Sequence, residues 1–97
     1  MPIVAISGAP SREEYDAVSG NIDLDHRPTG WLVHAAALLP DDSVQIVDIF
    51  DSQESMEAVG AQLVLPSFDQ AGVDVRDRRP PAAQETFAYH GPALTRP

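Results

Sequence analysis

Two apolar runs, residues 31–39 and 43–50, are separated only by Pro40-Asp41-Asp42. Chains that reverse over so few polar residues form an antiparallel hairpin, because a parallel crossover needs a dozen residues or more. The rest of the chain must pack around this pair. Residues 2–7 are short, β-branched and end at Gly8-Ala9-Pro10, which predicts a buried strand and a turn. Ser11 and Glu14 have the spacing of a capping box, and Tyr15, Val18 and Ile22 follow at helical spacing up to a stop at Gly20-Asn21. After the hairpin, Asp51 or Ser52 can cap a second helix with Met56, Val59 and Leu63 on its apolar face. Pro66 predicts a kink, or a break and restart, and Gly72 closes the segment. Residues 73–81 read as a linker, 83–90 as the last strand and 91–97 as a tail.

The order strand, helix, strand, strand, helix, strand defines an α+β, ferredoxin-like βαββαβ domain. It has a four-stranded antiparallel sheet with both helices on one face. At 97 residues, 1–97 form a single domain, and a hydrophobic share of 43% suffices for a packed core. By simple alternation, Trp31, Val33, Ala35 and Ala37 share one face of the second strand and Leu32, Ala36 and Leu38 the other. That pattern suits a strand buried on both sides. The helix-free face must then be covered, and a twofold pairing of two sheets is the simplest cover. A homodimer through the sheet face is therefore expected.

With no cysteine, disulfides, thiolate metal sites and thiol catalysis are excluded. A net charge of −9 opposes binding to a phosphate backbone, so no nucleic acid is expected as partner. The cluster Arg76, Arg78, Arg79 is diluted by Asp74 and Asp77 and reads as a solvated loop. No leader and no membrane span is apparent, which predicts a cytoplasmic protein. Asp23, Asp25 and His26 resemble turn formers more than metal ligands, so no metal is expected. Gly8-Ala9-Pro10-Ser11 lacks the glycines and lysine of a phosphate loop, and no cofactor is called for.

His34 and Asp48 are the candidate catalytic residues, because each places a titratable group in an otherwise apolar strand. Their relation depends on the hairpin. A two-residue loop puts them on opposite faces. A three-residue loop pairing 39 with 43 puts them directly opposite each other on one face, where Asp48 would orient the imidazole. Trp31, Tyr15, Phe50, Phe68 and Tyr89 are candidate walls of a pocket for a flat aromatic ligand. Tyr15 and Trp31 lead, because their polar tips need partners. His90 is expected near the surface.

Pro28-Thr29-Gly30-Trp31-Leu32-Val33-His34-Ala35-Ala36 and the run from Val44 through Asp48-Ile49-Phe50-Asp51-Ser52 to Met56 resemble the dimeric α/β-barrel superfamily. They are nearest to small members related to antibiotic biosynthesis monooxygenases. The resemblance spans roughly residues 3 to 90. It implies the fold, a homodimer and a pocket between sheet and helices, and it assigns no catalytic residue. The Asn, His and Trp set of the haem-degrading branch has no counterpart arrangement, since Asn21 is the only asparagine. The functional expectation is a small-molecule-binding protein, which as an enzyme would be a cofactor-independent monooxygenase, isomerase or cyclase. It would act on an aromatic or polyketide-like compound by acid–base chemistry. The alternative is a non-catalytic binding or assembly module with a filled core.

Overall fold

The computed structural model describes residues 1–75 and 81–91. The strand β1 (Ile3–Ala9) leads through Pro10 to the helix α1 (Arg12–Ser19), and a single 3₁₀ turn follows at Leu24–His26. The strands β2 (Trp31–Leu38) and β3 (Val44–Phe50) form the hairpin. Then come α2 (Gln53–Val59), a π turn (Gly60–Val64), α3 (Leu65–Ala71) and β4 (Ala82–Glu85). The sheet is antiparallel in the order β2-β3-β1-β4, so the architecture is the ferredoxin-like α+β fold. Within one chain the sheet is open and does not close into a barrel.

Local chemistry sets the element ends. The Ser11 hydroxyl accepts from the Glu14 amide, and Ser52 does the same for Ser55 at the second helix, so each satisfies a donor the first turn leaves free. Gly72 closes α3 in the left-handed conformation, with φ of 73°. The interruption foreseen at Pro66 appears one turn earlier. Pro66 has no amide to offer the carbonyl four residues back, and the helix widens ahead of it instead. The Leu65 amide reaches Gly60, five residues back.

The core is small. Ala5, Trp31, Phe50 and Val59 are buried together, with Met56, Leu63 and Ile22 packed around them. The lone asparagine ties the helices together: Asn21 Nδ2 donates to Ala17 O and to Ser67 O, both at 3.2 Å.

Three expectations are corrected. The second strand is not buried on both faces: it lies at the sheet edge, and residues 35–38 are exposed. The last strand stops at Glu85 rather than running to His90, because β1 has no more partners to offer. The Thr86 amide and hydroxyl both donate to Pro2 O at 2.8 Å, and Pro2 has no amide to return a bond. Phe87 beyond it is 97% exposed. Trp31 does not share a face with Val33. The register slips between them, pairing Trp31 with Phe50 and Val33 with Ile49. The basic cluster at Arg76, Arg78 and Arg79, most of the linker and the tail from residue 92 on lie outside the described residues.

Gly30 sits where β2 meets the cap of α2. Its φ is 100°, and a methyl group there would lie 2.6 Å from Ser55 Oγ. Gly30→Ala combines left-handed strain with a clash against the hydroxyl that bonds Asp51. Chemical denaturation should show a loss of about 1–3 kcal/mol. A loss below about 0.5 kcal/mol would mean that this junction relaxes freely.

Candidate functional site

The hairpin turn decides what the sheet presents to the helices. Leu39 N donates to Ser43 O at 2.8 Å and Asp42 N to Leu39 O at 2.9 Å, which closes a three-residue loop. Asp42 takes the left-handed conformation such a loop requires, with φ of 68°. Asp41 Oδ1 accepts from both the amide and the hydroxyl of Ser43 and holds the bend. Residue 39 therefore pairs with 43, and His34 faces Asp48 directly.

The two side chains meet. His34 Nδ1 lies 2.7 Å from Asp48 Oδ1. The same oxygen accepts the indole N–H of Trp31 at 3.0 Å. Side chains three apart in a regular strand point to opposite faces, so Trp31 reaches this carboxylate only because of the slip after it. The Trp31 ring then stands edge-on to His34 with centroids 5.7 Å apart, and it stacks on Phe50 at 5.9 Å.

The fourth member comes from α1. The Tyr15 hydroxyl lies 2.6 Å from His34 Nε2, the ring planes nearly parallel. The capped first turn of α1 sets the rotation that brings Tyr15 over the sheet. Proton roles follow from the chain of acceptors. With the imidazole neutral, the carboxylate oxygen accepts and Nδ1 carries the single ring proton. Nε2 then offers its lone pair, and the Tyr15 hydroxyl donates to it. The His34 and Asp48 side chains are only 13% and 17% exposed, so this order is little disturbed by water.

Burial pushes the Tyr15 phenol above its usual value of 10.0. The Asp48 and Asp16 carboxylates push the same way, while the Ser19 hydroxyl and Arg12 oppose them. The folded state thus favours the protonated phenol. Stability from this source is complete below pH 10.0 and drains away as pH rises through the elevated value. Tyr15 and Tyr89 are the two tyrosines, so subtracting the phenolate absorbance of Tyr15→Phe isolates Tyr15. Its ionisation should fall above pH 10.0, and a midpoint at or below that value would refute the assignment.

These groups stand on the wall of a cavity of about 360 Å³ between the sheet and the helices. The volume lies at the lower end of the 300–1,000 Å³ common for small-molecule pockets. Val18, Ile22, Leu24, Ile46, Val64 and Phe68 add large apolar side chains to the wall, and the widened turn is what brings Val64 and Leu65 to it. Of the residues singled out from sequence, Tyr15, Trp31, His34, Asp48 and Phe68 gather here. Phe50 lies behind Trp31 in the core, at 5% exposure. Tyr89 lies past the end of β4 and off the cavity wall, and His90 is exposed. Ser19 lines the cavity and was not anticipated, although its position four residues after Tyr15 puts both on one helix face.

His26 Nδ1 lies 2.9 Å from Asp23 Oδ2 in an exposed pair. Among the described residues no three His, Cys, Asp or Glu side chains cluster as a metal site. No helix among them is long and apolar enough to cross a membrane. Set against family models, curated proteins and solved structures, the chain matches none. The likeness to the dimeric α/β-barrel superfamily thus rests on the residues quoted above.

Proposed function

We propose that the protein binds a small aromatic or polyketide-like molecule in the cavity and moves a proton on it by acid–base chemistry. His34 is the proton carrier and Asp48 its orienting partner. The carrying observation is the hydrogen-bonded line from Asp48 through His34 to Tyr15 along an apolar wall. A base needs a partner that fixes its tautomer and stabilises the charge it acquires, and Asp48 meets both needs. An open interior beside His34 favours this over a module with a filled core. The reaction class is that of the superfamily the sequence resembles: cofactor-independent oxygenation, isomerisation or cyclisation of an activated ring compound. A cytoplasmic setting belongs to the same reading.

A panel of phenolic and polyketide-like compounds tests it. At least one compound is expected to raise the melting temperature and to be converted. His34→Ala should then lower the rate about 10²–10⁴-fold. Conversion indifferent to His34→Ala, or no compound that binds, removes the proposal.

A homodimer through the outer sheet face is the second part of this reading. The register puts Val4, Ile6, Val33, Val47 and Ile49 on the face opposite His34 and Asp48. The helices pack on the other face, through Val59 in the core and Val64 and Phe68 in the cavity wall, and Ile6 is 43% exposed. A contiguous β-branched surface of this kind is a recognised mark of pairing. Sedimentation should give twice the chain mass, and a monomer at micromolar concentration would remove the pairing.

A further inference from the structure

Both nitrogens of His34 are occupied, Nδ1 by Asp48 and Nε2 by Tyr15. An imidazole nitrogen has one in-plane position for a hydrogen bond. A ligand in the cavity therefore cannot reach the His34 lone pair while Tyr15 holds it. The phenol oxygen is different. It spends its proton on Nε2 and keeps two lone pairs. Even with the Ser19 hydroxyl beside it claiming one, the other remains. Tyr15 and Ser19 both line the cavity.

We infer that the Tyr15 oxygen, not the His34 ring, meets the ligand, and that it takes the proton of a neutral hydroxylated ring compound while passing its own proton to His34. The assignment rests on the acid–base reading above and names the substrate class for it. The step balances without a further reactant. The ligand O–H bond and the original Tyr15 O–H bond break. A new Tyr15 O–H bond and a His34 Nε2–H bond form. The electron pair of the ligand bond stays on the ligand oxygen. Tyr15 ends neutral, the ligand is an anion, and the imidazolium rests on Asp48. Reversal returns every proton. Tyr15 would then be a catalytic residue and Asp48 a positioning residue.

The wall also selects the charge state of what enters. Glu14 and Asp48 contribute carboxyl groups, and among the described lining residues there is no lysine or arginine. A ligand already ionised would meet like charge in an apolar cavity. A neutral phenol or enol meets the Tyr15 lone pair without that repulsion and becomes charged after binding, one hydroxyl away from the imidazolium it has just created.

4-Nitrophenol is a suitable probe, because its anion has its own absorption band, and 4-nitroanisole is its counterpart without a proton. At a pH just below that at which the free dye ionises, the wild-type protein should bind 4-nitrophenol with the anion band present. Tyr15→Phe should bind 4-nitroanisole as the wild type does but show an anion band at least tenfold weaker. His34→Gln should lose the band as well. If Tyr15→Phe keeps or strengthens the band while His34→Gln loses it, His34 takes the proton directly, and the inference falls while the acid–base reading stands. If the wild type shows no band, both fall. If Tyr15→Phe also loses 4-nitroanisole, the phenol only holds the wall, and the relay is overturned.

Discussion

Phe50→Ala should remove about 3–5 kcal/mol of folding stability, measured by urea or guanidinium denaturation. Phe50 is 5% exposed and stacks on Trp31, which is equally buried. It pairs with Trp31 on one side and Ile3 on the other, at the end of the interior strand β3. Deleting its ring leaves a void that the β-sheet backbone cannot close by shifting, and a core of four buried side chains has little to spare. Domains of this size hold about 5–15 kcal/mol in total, so the variant should be partly unfolded at modest denaturant. Phe50→Leu, which keeps most of the volume, should cost far less, about 1–2 kcal/mol. Equal losses in the two variants would mean that the site tolerates the void, and would remove Phe50 from the centre of the core.

Asp48→Ala should be the second large effect, and it should act on stability and chemistry together. One oxygen of Asp48 accepts from both Trp31 Nε1 and His34 Nδ1. Removing it leaves two buried donors unmatched, at about 1–3 kcal/mol each before any water enters. Freed from the carboxylate, the imidazole can move its proton to Nε2. It would then point a donor at Tyr15 where it now offers a lone pair. Conversion of the ligand should fall about 10²–10⁴-fold. Asp48→Asn separates the two roles. Its amide oxygen can still serve the indole, so much of the stability should return, whereas a neutral amide cannot stabilise an imidazolium and the rate should stay low. If the rate returns with the stability, Asp48 is a structural acceptor and not a partner in proton transfer.

The fold was legible because its signals are local. Strand and helix periods alternate, Ser11 and Ser52 announce helix starts, and Gly72 announces an end. Connections this short leave few ways to arrange the elements. The two residues most suggestive of chemistry, His34 and Asp48, were legible for a related reason: each is a titratable group in an apolar strand. Their meeting was not legible. It depends on whether Asp42 enters the left-handed conformation and lengthens the loop to three residues, which composition does not dictate. Alternation puts Trp31 on the wrong face because it assumes a regular strand. The slip before Val33 is held from outside the strand, by Arg27, whose guanidinium donates to the carbonyls of Leu24, Trp31 and Leu32. The early end of β4 depends on Pro2 at the far end of the chain, 84 positions from Thr86. Ladder partners so distant leave no trace in the local pattern.

The widened turn at Gly60–Val64 also fixes an angle. Each residue in an α-helix advances the side chains by about 100° around the axis. A turn closed five residues back instead of four holds one residue more, so everything after it is rotated by about that amount. Phe68 faces the cavity in this rotated frame. The second helix is thus two short helices out of phase by one residue, the first keyed to the core through Val59 and the second keyed to the cavity through Phe68. Insertion or deletion of a single residue between them would change which side chains look inward while leaving the helix length nearly the same. The cavity can be refitted at this one point without disturbing the sheet that carries His34 and Asp48.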